Sequence, residues 1–230
     1  MQTANPLDAL KIERGLLERQ TAAGYVADSL RAAIQTGALS DGMELNQVAL
    51  AEHFGISRVP IREALRALEG EGWITATPHR RAVVQAVSPA RIQETFEIRA
   101  LLETHLIEKV IARISDEQIA KLKKACDRMD QIADHQKWVA ANADFHHELL
   151  ESAGSPMALE LAIQLSSQVE RYLRLSGETV IRESEAGREH RDIVAAVAAC
   201  DVEAARRLIR THIEHTRGRV VDAISEEEKP

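Results

Sequence analysis

The sequence predicts a mainly α protein in two parts: three helices and a β-hairpin, then an all-α bundle of about six helices. Three observations carry this. Ala and Leu dominate a chain of 230 residues with only 3% aromatics, which favours helix over sheet. Apolar residues recur at helical spacing along most of the chain. The spacing changes to alternation once, between Trp73 and Val87.

Residues 1–20 are charged, with Leu7, Leu10, Leu16 and Leu17 scattered among them, and read as a frayed helix or a mobile arm. From residue 21 to residue 87 the pattern is that of a compact unit. Tyr25, Val26, Leu30, Ala33 and Ile34 share one helix face, and Gly37 closes that helix. Asn46 is placed to cap a second, short helix, Gln47 to Phe54, with Val48, Leu50 and Ala51 facing inward. Gly55 breaks it, and Ser57 is placed to cap a third. Pro60 falls in the first turn of the third helix, where amides have no intrahelical partner, so it does not break the helix. With no amide on Pro60, the Ser57 cap is predicted to bond the amide of Val59. Trp73–Thr77 reads as a strand, Pro78–Arg81 as a basic turn, and Ala82–Val87 as the returning strand.

Ser88-Pro89 marks the next boundary, a good cap followed by a proline suited to a first turn. Residues 88–224 then read as helix throughout. Ser115-Asp116-Glu117-Gln118 has the form of a capping box, Gly154-Ser155-Pro156 separates two helices, and Asp201 caps the last. The tail, residues 225–230, is predicted to be disordered.

Composition excludes several classes. The longest unbroken apolar run, Ile193 to Cys200, has eight residues, where a membrane span needs roughly 20. The opening MQTANPLDAL lacks the basic-then-apolar order of a signal peptide. Cys126 and Cys200 read as buried thiols in a reducing cytoplasm. The net charge of −7 is uneven: nine basic and ten acidic residues precede Val87, while Ser57–Arg81 alone holds five arginines against three glutamates. The acid lies mainly in the second part, and a small basic cluster lies in the first.

Ile61, Ala64, Leu65 and Leu68 share one face of the third helix, and Arg58, Arg62 and Arg66 a neighbouring one. Alone, those arginines fit a solvated face with Glu63 and Glu69 as partners. A short helix, a Gly turn, a capped helix with arginines near its start and a basic hairpin together describe a winged helix-turn-helix. Arginine's planar fork suits guanine O6 and N7 in the major groove.

The segment ALAEHFGISRVPIREALRALEGEGWI resembles the reading head of GntR-family bacterial transcription regulators. The resemblance implies DNA contact by Ser57, Arg58, Val59 and Arg62, with the wing near His79 and Arg80. Asn46, Gln47 and Arg66 complete the expected DNA-contacting set together with Arg81. Arg81 stands where the family wing usually has Gly, adding a charge for phosphate; Gln47 stands where relatives often carry Glu.

Seven of nine histidines lie in the second part. Asn142 and His146 stand one turn apart on one predicted helix, His190 on the next to last and His212 on the last. Three imidazoles and an amide oxygen suit a divalent transition metal such as Zn, Ni or Mn, although any one such histidine is more often a surface or core residue. Residues 88–224 resemble the all-helical FadR C-terminal (FCD) type of ligand-binding domain, through FEIRALLE, NADFHHELLESAGSP and EHRDIVAAVAACDVEAARRLIRTHI. The resemblance implies Asn142, His146, His190 and His212 as metal ligands, with Asn142 replacing the commoner Asp. It implies Arg99 as a contact for a small carboxylate effector; the alternative is a surface salt bridge to Glu103. His147 and His215 match no role and read as surface residues.

The reading is a cytoplasmic, homodimeric, ligand-responsive regulator of transcription on a short palindromic operator in double-stranded DNA. A metal-dependent helical-bundle enzyme acting on carboxylic acids is the alternative, but the chain has no nucleophile elbow, phosphate loop or HExxH motif, and only Asp144 and Glu148 stand near the histidines as bases. The scarcity of aromatics argues against an RNA-stacking platform.

Overall fold

The computed structural model describes Leu7, Leu10 and residues 21–75, 82–176 and 183–227. His79, Arg80 and Arg81, with most of the expected arm, lie outside the described residues. The chain divides into two compact units, Met1–Val87 and Ser88–Pro230.

In the first unit, α1 (Ala22–Gln35) begins where the Thr21 side chain accepts the amide of Gly24. Its buried face is Tyr25, Val26, Ala27, Leu30, Ala33 and Ile34. A two-residue strand β1 (Glu44–Leu45) leads into α2 (Gln47–Phe54) and α3 (Arg58–Gly70). Strands β2 (Ile74–Thr75) and β3 (Ala82–Val84) complete a sheet of order β1-β3-β2, antiparallel throughout. Leu45 pairs with Ala82, and Ile74 with Val84. The hairpin reading missed β1, because two residues show no alternation. The returning strand also ends earlier than Val87. Beyond Val84, Gln85 still donates to Trp73 O, but Val87 donates to the Asp41 carboxylate instead of a strand.

Asn46 caps α2 as expected, its Oδ1 accepting the amides of Val48 and Ala49. Val48 does not face inward: it is 46% exposed. The buried face is Leu50, Ala51 and Phe54, and Val48 lies about 200° from Leu50 around the helix. Gly55 takes the left-handed conformation (φ 66°) that only glycine adopts without cost, and turns the chain into α3. Pro60 lies inside α3 without breaking it. Ser57, however, makes no side-chain cap bond. The third-position amide that a cap usually holds is missing at Pro60, so the serine hydroxyl stays free.

The second unit contains six helices among the described residues: α4 (Pro89–Ile111), α5 (Asp116–Met129), α6 (His135–Glu151), α7 (Pro156–Leu175), α8 (Glu183–Ala198) and α9 (Val202–Glu227). Ser88 Oγ accepts from Arg91, Ser115 and Gln118 form the capping box, and Asp201 accepts the amide of Ala204. α4 is central, packing on α9, α7 and α6. α9 runs to Glu227, three residues into the tail predicted to lack order. No helix among the described residues is long and apolar enough to cross a membrane.

Candidate functional site

The reading head buries Ile61, Ala64, Leu65 and Leu68 and turns Ser57, Arg58, Val59, Arg62 and Arg66 outward. Val59 is 51% exposed, unusual for a valine and suited to a thymine methyl. Arg58, Arg62, Arg66, Glu63 and Glu69 are all exposed, which fits a solvated face as well as a groove-reading one. Asn46 is exposed, but its oxygen is committed to the α2 cap, and Gln47 is half-buried.

The second unit brings four helices to one buried point. Apolar neighbours fix each one: Phe145 and Leu149 on α6, Ile193 and Val197 on α8, Ile209 and Ile213 on α9 are all essentially sealed from solvent. Between them His146, His190 and His212 are buried, with ligand atoms within 4.8 Å of one another. The Nε2 atoms of His146 and His212 stand 3.2 Å apart, those of His190 and His212 3.3 Å apart. Asn142 is buried one turn before His146.

Two carboxylates set the tautomers. Glu103 Oε2 accepts from His146 Nδ1 at 3.1 Å, and Glu189 Oε2 from His212 Nδ1 at 2.8 Å. An ionised carboxylate only accepts, so both Nδ1 atoms carry the proton and both Nε2 atoms present lone pairs to the centre. His190 Nδ1 has no partner among the described residues; its ring lies against Phe145 and Trp138. Three nitrogens thus converge with at most one proton to share among them. Two ligands about 2.05 Å from a tetrahedral ion stand about 3.3 Å apart, so the residues fit a divalent metal.

Charge reinforces this. Burial pushes the Glu103 carboxyl up, but Arg99 and His146 outweigh it and hold it at about 2. Burial and the nearby Arg99 bring His146 down to about 4. Burial likewise lowers His212 and takes His190 well below its ordinary value. Glu189 is pushed up by burial and pulled down further by His212 and His215, to about 2. All three imidazoles are therefore neutral near pH 7, the form that binds metal.

Arg99 is not on the surface. It is 2% exposed, and its Nε donates to the fully buried Glu103, which corrects the surface-salt-bridge alternative. Its terminal nitrogens make no hydrogen bond among the described residues. Glu189 was missed by sequence reasoning, and His215, though 58% exposed, pairs with it at 2.7 Å. Its partners are His212 and His215, more than twenty residues away, and not the adjacent His190, so no local signal announced it. His147 is exposed, as expected. Asp144 and Glu148 line a cleft of about 360 Å³ beside Phe145, which contains none of the three histidines. A second cleft of about 130 Å³ touches His146 but is bordered by Asp144 and Glu170 and does not reach Arg99.

Residues 94–215 match the FCD domain, and residues 12–84 match the bacterial regulatory proteins of the gntR family. The chain belongs to the GntR family and carries an FCD domain. The regulator is 28% identical over 198 residues to the HTH-type transcriptional regulator YdhC of Bacillus subtilis, covering 82% of this chain and 86% of that protein. It is 26% identical to the gluconate operon transcriptional repressor of Bacillus licheniformis, covering 90% and 88%. The solved McbR/YncC of E. coli shares the fold, with 21% identity, a TM-score of 0.71 and coverage of 91% and 100%. The regulator is a DNA-binding transcription factor, and the enzyme alternative falls with that assignment.

Proposed function

We propose that the regulator works in the cytoplasm as a homodimer on a palindromic operator. Ser57, Arg58, Val59, Arg62 and Arg66 read the major groove. Asn46 and Gln47 lie at its edge, and His79, Arg80 and Arg81 form a wing on the phosphates. Asn142, His146, His190 and His212 hold a divalent transition metal (Zn, Ni or Mn), and Arg99 meets a small carboxylate effector beside it. The observation that carries this reading is the convergence of three buried, neutral imidazoles next to a buried guanidinium whose terminal nitrogens have no hydrogen bond among the described residues. A bound cation supplies a Lewis-acidic position for a carboxylate; Arg99 orients the anion and Glu103 keeps His146 aimed. An effector that prefers one state of the regulator changes DNA affinity by its differential binding.

Two half-sites call for two-fold symmetry. Ile98 and Leu101 on α4 and Met157 and Leu161 on α7 are all exposed. The two helices run antiparallel, with Thr95 beside Tyr172 and Lys109 bonded to Ser155, so one apolar face supports the dimer.

The test is a DNA-binding titration on duplex from upstream of the regulator's own gene, with zinc, nickel or manganese and a panel of carboxylates. Gluconate belongs in that panel, since a relative is named for the gluconate operon. Affinity that shifts with one carboxylate, and only in metal-loaded protein, is the expected result. His146→Ala combined with His190→Ala should lose the metal by elemental analysis; unchanged content would exclude the site.

A further inference from the structure

α3 is about 20 Å long, so a 5° rotation about its far end sweeps its start by about 2 Å. That exceeds the whole useful range of a hydrogen-bond distance. The far end therefore has to be held, and one polar cluster holds it. Glu71, the residue that closes α3, receives both arms of Arg31 from α1: Nε to Oε2 at 2.9 Å and Nη2 to Oε1 at 2.9 Å. The indole Nε1 of Trp73 donates to the same carboxylate at 3.1 Å. Asp28 holds the remaining arm of Arg31 at 2.6 Å. Trp73 is buried and ties the root of the wing: its amide donates to Leu68 O, and its carbonyl accepts from Gln85.

We infer that Arg31 and Glu71 are positioning residues for sequence recognition, a clasp that fixes both the pitch of α3 and the root of the wing. The hydrogen bonds given above join them to each other, to Asp28 and to Trp73, away from the exposed arginines of α3. The inference rests on α3 being the reading helix. Planar, two-point pairing is what distinguishes this contact from an ordinary surface ion pair. Phosphate attraction is tolerant of small displacements, whereas base-edge contacts are not. Loss of the clasp should therefore degrade specificity and leave non-specific binding alone.

The test uses full-length protein and a duplex selected from random-sequence DNA by the unaltered protein, with scrambled duplex as reference. Arg31→Ala and Glu71→Gln should each reduce the ratio of selected to scrambled affinity by about tenfold or more, with scrambled affinity and its salt slope unchanged. The double variant should be no worse than the worse single one, since both break one contact. Should Arg31→Ala fail to fold, Arg31→Lys keeps the charge, loses the fork, and should still lower the ratio. A ratio equal to that of the unaltered protein in folded variants overturns the clasp, as does an equal loss on both duplexes. Arg62→Ala is the control. If it too leaves the ratio unchanged, the reading-helix assignment fails; if it alone lowers the ratio, only the clasp fails.

Discussion

Glu103→Gln removes one charge from a fully buried position and almost nothing else. Glu103 is 0% exposed, and its two oxygens serve Arg99 Nε and His146 Nδ1. Two routes give the cost. The carboxyl is held at about 2 against an ordinary 4.5, a depression worth roughly 3 kcal/mol. Removing one member of a buried ion pair costs about 3–5 kcal/mol independently, because the other charge stays buried alone. The expected loss in urea unfolding of metal-free protein at pH 7 is therefore about 3 kcal/mol, a fall in midpoint of about 1 M or more. The sign with pH follows from a depressed folded-state value. The contribution is complete above pH 4.5 and disappears as pH falls through about 2, so variant and parent converge in acid. Arg99→Met with Glu103→Leu, which removes both charges, should cost far less than the single change. A Glu103→Gln protein as stable as its parent at pH 7 would refute the reasoning, since Arg99 would then have another partner.

His146, held at about 4 against an ordinary 6.5, takes up its proton more readily in the unfolded chain. Stability of the metal-free protein is thus complete above pH 6.5 and falls by roughly 3 kcal/mol as pH drops through 4; urea midpoints that agree at pH 7.5 and 4.5 would contradict this. Cys200, expected to be buried, is exposed at φ 56°, a left-handed conformation that penalises a side chain, so Cys200→Gly should stabilise by about 1 kcal/mol and raise the melting midpoint by a few degrees. Asn142→Asp should tighten zinc binding while weakening carboxylate binding, both by calorimetry; opposite signs would exclude Asn142 from the site.

Much of this was legible because the signals were local. Gly55, Pro60 and the apolar spacing specify a helix-turn-helix within twenty residues, and Ser88, Ser115 and Asp201 announce helix starts through their own side chains. What the sequence withheld depends on distance along the chain. β1 is visible only through its pairing with Val83 and Ala82, some forty residues away. Arg99 and Glu103 look like any i,i+4 surface pair until α9, α7 and α6 close over α4. Periodicity placed His146, His190 and His212 on three helices, but only packing makes their nitrogens converge. The free Ser57 hydroxyl was misjudged for a different reason: the proline that could be tolerated also removed the amide that a cap would have held.

The site's electrostatics also account for the neutral residue at position 142. With a divalent ion bound as proposed, the three imidazoles and Asn142 leave its charge uncancelled. Glu103 and Glu189 stand one shell out, each hydrogen-bonded to a metal-facing histidine. Arg99 offsets one of them. Two positive charges on the ion, one on Arg99 and one on Arg219, which lies 3.7 Å from Glu189, then face two carboxylates, leaving net positive charge in a largely buried space. An Asp at 142 would lower that charge. As a ligand of the proposed ion, Asn142 would weaken the hold on the metal and strengthen the pull on an anion, and sensing of the proposed carboxylate would gain from that exchange.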